Sequence, residues 1–152
     1  MASFLRTLAS VLLLCLGPLC SAQELTVRVI DAPNGHPLKG QTVTVGFLYD
    51  KNYDKMIPSK HEALKLETDT NGEIRFQFPE PRPTHFSAQI HLDESRWECR
   101  CAVLGSTEDL IGKGIVASSS RTATLTPIAG QLLFVVRPLS LFERLIYPIM
   151  KE

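Results

Sequence analysis

Tyr49-Asp50-Lys51-Asn52-Tyr53-Asp54-Lys55 is the stretch with the most chemistry in it: three oxygen-bearing side chains alternate with other residues, and two tyrosines stand four apart. Asp50, Asn52 and Asp54 match the first, third and fifth positions of a calcium loop, where a hard cation takes oxygen ligands at about 2.3 to 2.6 Å. The match then breaks. Lys55 stands where the turn requires glycine, and His61 where a bidentate glutamate should close the loop, so a solvated charged loop is the plainer expectation. Tyr49 and Tyr53 suggest a second chemistry, because aromatic faces held on a rigid scaffold can stack on a sugar ring. Packing at an edge of the fold is the alternative use of the same rings.

Trp97-Glu98-Cys99-Arg100-Cys101 holds the chain's closest pair of thiols. In one extended strand Trp97, Cys99, Cys101 and Val103 share a side, which makes both cysteines inward-facing and structural. A disulfide between them needs a bulge, since residues two apart in a strand lie near the Cα separation limit of about 7 Å. A zinc site needs further ligands, and no His or Cys stands at ligand spacing nearby. His36, His61, His85 and His91 are scattered; six residues of strand separate the last two by roughly 20 Å. No Ser, His and Asp set is anchored by a motif. The expectation is therefore no catalytic residue and no cofactor.

The elements that must position these residues are strands. Leu25, Val27 and Val29 alternate with polar neighbours, as do Val43, Val45 and Phe47. Leu64 to Thr68 and Ile74 to Phe78 flank Asp69-Thr70-Asn71-Gly72 and read as a β-hairpin on an Asn-Gly turn. Pro79 to Thr84 ends it. Further strands are expected at His85 to Leu92, Trp97 to Leu104, Ile115 to Ser119, Thr122 to Thr126 and Gln131 to Val136. The pattern predicts an all-β, antiparallel two-sheet sandwich of seven or eight strands, with a barrel as the alternative. A single short helix is expected over Leu141 to Tyr147, opened by a Ser140–Glu143 capping box and ended or kinked by Pro148. Leu141, Phe142, Leu145 and Ile146 share a side of it and are expected to dock on the sandwich.

Compartment and charge narrow the function. Residues 1–22 carry one cation, an apolar run and a Cys20-Ser21-Ala22 end, the pattern of a secretory signal peptide. The run is too short for a membrane span, which needs roughly 20 apolar residues. Cys20 raises lipidation, but Leu19 precedes it where a small residue is wanted. Cleavage before Gln23 leaves 15 basic residues against 16 acidic, a charge of −1 on 130 residues. That size suits one domain, residues 23–138 as sandwich and 139–152 as helical segment. A near-neutral chain has nothing to steer it to nucleic acid.

Asp31-Ala32-Pro33-Asn34-Gly35-His36-Pro37-Leu38-Lys39-Gly40 is dense in turn residues, and only His36 and Lys39 within Asn34–Gly40 could serve a ligand; it is expected to be a turn plugged into the core by Leu38. The segment Gly35 to Val45, followed by Thr68 to Phe78, resembles the carboxypeptidase regulatory-like domain group over Glu24 to Phe78. That resemblance implies a prealbumin-like, transthyretin-like or immunoglobulin-like sandwich. Enzymes of similar sandwiches fit poorly. The chain ends Ile149-Met150-Lys151-Glu152 instead of the Tyr-Arg-Gly-Ser tail of hydroxyisourate hydrolases, and it lacks the close His-x-His pair of intradiol dioxygenases. Nor do Arg28 and Gln131 supply the Lys–Asn pair of isopeptide-stapled adhesin sandwiches. The expectation is a secreted, non-catalytic binding or interaction module, periplasmic or extracellular, with a protein or glycan of the cell envelope as partner and no stable membrane anchor. A carbohydrate-binding module and a small hydrolase with scattered site residues are the alternatives.

Overall fold

The computed structural model describes residues 23–49, 63–98, 102–118 and 125–150. Nine strands and two helices follow one another among them: β1 (Glu24–Asp31), β2 (Thr42–Leu48), β3 (Ala63–Glu67), β4 (Glu73–Gln77), β5 (His85–His91), β6 (Trp97–Glu98), β7 (Ala102–Ser106), α1 (Thr107–Gly112), β8 (Ile115–Ser118), β9 (Gln131–Pro138) and α2 (Leu141–Met150). Two sheets form. One runs β4-β1-β9-β6, with β8 also on β9; the other runs β3-β2-β5-β7. The expected all-β two-sheet sandwich with a C-terminal helix is the architecture found, and among the described residues the two sheets do not close into a barrel. The first sheet is mixed and not antiparallel throughout, because β1 and β8 both pair with β9 in parallel.

Alternation along the strands builds the interior. Leu25, Val27 and Val29 of β1 and Leu132, Phe134 and Val136 of β9 meet Val43, Val45 and Phe47 of β2 and Phe86, Ala88 and Ile90 of β5. A trio of Phe47, Phe76 and Phe78, with ring centroids 5.8 to 6.3 Å apart, fills one end in tilted and edge contacts. β9 differs from the other strands, since Leu132 to Val136 are all buried. Its outward-facing Leu133 and Val135 join Ile30, Ala32 and Val116 in a second cluster on the other face of the sheet. An unbroken apolar run is what a strand buried on both faces requires.

Two local readings change. The segments around Asn71-Gly72 do not form a hairpin: β3 pairs with β2 in one sheet and β4 with β1 in the other, so the turn is an arch between sheets. Gly72 alone has positive φ, +69°, whereas a two-residue type I′ hairpin turn requires positive φ at both central residues. The arch is held from inside and outside. Asp69 accepts from the backbone N–H of Asn71 and Glu73, at 2.8 and 2.9 Å. Gly72 lies so close to β1 that a Cβ there would meet the Val29 carbonyl at 2.6 Å. Buried Thr68 then stitches the arch to the Pro37–Gly40 turn: its hydroxyl donates to Leu38 O at 2.7 Å and accepts from Gln41 N at 2.9 Å. The two motifs that carry the family resemblance are thus one interlocked piece of structure, and Leu38 packs on the core as expected.

The expected strand Trp97 to Leu104 is also divided. β6 pairs with β9 and β7 with β5, so the chain changes sheets between them, and the strand phase argued for the thiols does not apply as one continuous register. Trp97 and Val103 both reach the core, from opposite sheets. Leu125 and Thr126 of the expected strand Thr122 to Thr126 have no regular structure. Residues 1–22, expected to be a signal peptide, Thr122 to Thr124, and the Cys99 and Cys101 positions lie outside the described residues.

Candidate functional site

Turn chemistry missed in the sequence makes one candidate site. Ser106 caps α1, its hydroxyl accepting from Glu108 N at 3.2 Å and Asp109 N at 3.4 Å, and Leu110 anchors the helix in the core at 2% exposure. The signature was present as Ser106 followed by Glu108, Asp109 and two apolar residues, but a six-residue helix carries too little periodicity to stand out between strands. Thr107 N donates to Thr84 O at 3.0 Å, which fastens α1 to the loop entering β5. Thr84 in turn is held by Leu48 O, through its N–H at 3.0 Å and its hydroxyl at 3.2 Å.

Between that loop and α1 lies a cleft of about 470 Å³ lined by Arg82, Pro83, Thr84, His85, Ser106, Thr107, Glu108 and Ile111. It is within the size range of small-molecule sites. Thr107 is 97% buried, by its 3% exposure, and its hydroxyl has no hydrogen-bond partner among the described residues. Arg82 and Glu108 are exposed, and neither forms an ion pair among the described residues.

The second candidate is α2. Its capping box forms as expected, with Ser140 N donating to Glu143 Oε2 at 2.7 Å and Glu143 N to Ser140 Oγ at 3.3 Å. Arg137, at the end of β9, binds Glu143 Oε1 at 2.7 Å and also grips Glu98 of β6. The guanidinium pulls the Glu143 carboxyl down to about 2, helped by the Ser140 N–H, and the two carboxylates raise Arg137. Despite that anchor, the expected docking of the apolar side is not what the structure shows. Of the four side chains expected to dock, Leu141, Phe142 and Leu145 are 79%, 71% and 75% exposed, and Ile146 is half-buried. The ion cluster grips the helix at its first turn. The helix also runs to Met150, so Pro148, expected to end or kink it, does not end it.

The residues singled out for ligand chemistry do not assemble within the described structure. Tyr49 follows β2 and is 37% exposed. Asp50, Asn52, Tyr53, Asp54 and His61 lie outside the described residues, as do Cys99 and Cys101. His85 and His91 occupy opposite ends of β5; His91 Nε2 lies 3.0 Å from Thr44 Oγ1 and His85 Nδ1 3.1 Å from Thr84 Oγ1. No three His, Cys, Asp or Glu side chains converge as a metal site among the described residues.

No protein-family model matches the chain, and no curated protein matches it. Solved structures are similar at low identity. The full-length major pilin SpaD from Corynebacterium diphtheriae is 15% identical over 76% of this chain and 29% of its own, with a TM-score of 0.42. Catechol 1,2-dioxygenase from Pseudomonas arvilla is 17% identical over 77% of this chain and 52% of its own, with a TM-score of 0.44. A pilus-presented adhesin is 12% identical over 76% of this chain and 26% of its own, with a TM-score of 0.35. This chain therefore spans between about a quarter and a half of each of these proteins, and likeness at this level bears on neither activity nor partner.

Proposed function

We propose that this chain is a secreted, non-catalytic β-sandwich interaction module of the cell envelope that engages a partner protein through the apolar side of α2. The observation that carries the reading is the outward display of Leu141, Phe142 and Leu145 on a helix whose base is held by Arg137. Contiguous apolar exposure of this kind marks interaction surfaces in soluble proteins. Secretion rests on the signal-like residues 1–22.

Size and charge favour a partner protein over the other occupants. At roughly 150 Å² each, the three side chains present on the order of 400 Å², half of the roughly 800 Å² per partner of a stable protein interface, so a symmetric pairing of two such patches is too small. A helix lying in a lipid interface needs a strongly basic polar side. Here Arg137 is taken up by Glu98 and Glu143, leaving Arg144 as the exposed cation of the helix's first two turns. An apolar groove, by contrast, closes around a helix and reads side chains at i, i+3 and i+4 spacing, the spacings of Phe142 and Leu141 to Leu145.

The test places a photo-crosslinking residue at Phe142 in the secreted protein and compares it with a variant that also carries Leu141→Ser and Leu145→Ser. One defined partner should be joined in the first and lost in the second, with an unchanged melting temperature. Crosslinking only to a second copy, or flotation of the purified protein with lipid vesicles that the two serines abolish, would overturn the reading.

A further inference from the structure

Among the described residues β3, β4 and β7 each leave one edge unpaired, and the chain equips those edges differently. β3 carries exposed Lys65 and Glu67, and β4 carries Glu73 and exposed Arg75, charges of the kind that keep a sheet edge from pairing with another chain. β7 has no charged residue and no proline, and it displays Leu104 at 41% exposure. The direction of its free groups follows from its ladder with β5. Thr107 N donates to Thr84 O in the same register, and along an antiparallel pair the N–H and C=O of successive residues face alternate sides. Val103 and Gly105 therefore bond to β5, while Ala102, Leu104 and Ser106 turn their main-chain groups outward. The Ser106 carbonyl, at the cap of α1, accepts the helix's first bond, which leaves its N–H for the edge.

We propose that β7 pairs antiparallel with β7 of a second copy of this chain, about a two-fold axis at Leu104. In that register each Leu104 exchanges N–H and C=O with the other, and each Ser106 N–H donates to the Ala102 carbonyl opposite it. The two Leu104 side chains then stand directly opposite on one face and cover each other. A slide of two residues would set each Leu104 against Ala102 or Ser106 and lose that contact. Pairing with β3 or β4 of the second copy would instead bring Lys65 or Arg75 opposite Leu104, and such a head-to-tail contact need not close, whereas β7 on β7 closes at two copies. Main-chain hydrogen bonds supply the affinity when a strand is added to an edge. A five-residue edge covers less than the roughly 800 Å² per partner of a stable interface, so the dimer is weak and concentration-dependent. It shares no residue with α2 and stands independently of the reading above.

Sedimentation velocity on the purified protein from Gln23 onward, taken from micromolar to millimolar concentration, should show a monomer giving way to a dimer. Over the same range the amide resonances of Ala102, Leu104 and Ser106 should move more than those of Val103 and Gly105. Leu104→Lys and Leu104→Glu should each weaken self-association at least about tenfold, because like charges then meet at the axis, with the melting temperature unchanged. An equimolar mixture of the two variants should dimerise again, a rescue that a merely structural role for Leu104 would not give. Leu141→Ser with Leu145→Ser should leave the dimer intact. A monomer at every concentration, amide shifts that spare Leu104, a dimer indifferent to either charge, a mixture that stays monomeric, or a dimer abolished by the two α2 serines would overturn the proposal.

Discussion

The two helices of this protein are built to similar local rules and end in opposite situations. α1 has six residues, a Ser106 cap and one large side chain, Leu110, sunk into the core at 2% exposure. α2 has ten residues, a Ser140 cap and a richer apolar side, of which Leu141, Phe142 and Leu145 stay more than 70% exposed. Apolar content therefore does not decide burial here. α1 sits between β7 and β8, strands of different sheets, so both of its ends are fixed and its side chain is carried into the space between the sheets. α2 is held at its first turn by β9 and the Arg137 ion cluster, and an amphipathic helix held there can present its apolar side to a partner.

The contrast breaks most sharply at the apolar anchors. Leu110→Ala should cost about 2–5 kcal/mol, the range for truncating a buried leucine, whereas Leu145→Ala should stay within about 0.5 kcal/mol; denaturant unfolding of both variants checks this. Equal effects would mean that α2 is packed in solution as tightly as α1. Next come the caps. Ser106→Ala should lower global stability by about 1 kcal/mol, since α1 is part of the cooperative core. Ser140→Ala should reduce amide protection within α2 while the midpoint of unfolding barely moves, because that helix opens locally.

The smallest effect sharpens the anchor itself. Glu143 is held near 2 in the folded protein against an ordinary value of 4.5, so its contribution to seating α2 is fully present above about 4.5 and is lost as pH falls through about 2. An acid titration should place the Glu143 carboxyl carbon midpoint near 2, and Arg137→Met should return it toward 4.5. A wild-type midpoint near 4.5 would show that the ion cluster does not hold the helix base in solution.

What could be read in the chain was what depends on near neighbours. Alternation in β1, β2 and β5 and the apolar run of β9 located strands, and the Ser140–Glu143 box located the start of α2, because period and capping act over a few residues. The turn at Asn71-Gly72 was legible as a turn and not as an arch. Gly72 can bend the chain within a sheet or between sheets, and what selects the arch is its close approach to Val29 and the Thr68 ties to Leu38 and Gln41, partners more than twenty residues away. The candidate cleft was illegible for the same reason, since Arg82 and Thr107 approach only when the Thr84 carbonyl accepts from the Thr107 amide across two sequence-distant segments.

The sequence by itself determined most of the strand runs, the Ser140 cap and that the chain must bury a two-sided β core, because these follow from side-chain period and backbone preference. Only the tertiary structure decided which sheet each strand joins, that Leu141, Phe142 and Leu145 remain outside while Leu110 goes in, and that the loop entering β5 and α1 enclose a cleft. Those outcomes turn on which groups, distant along the chain, compete for the same space and the same hydrogen bonds, and a local pattern carries no record of that competition.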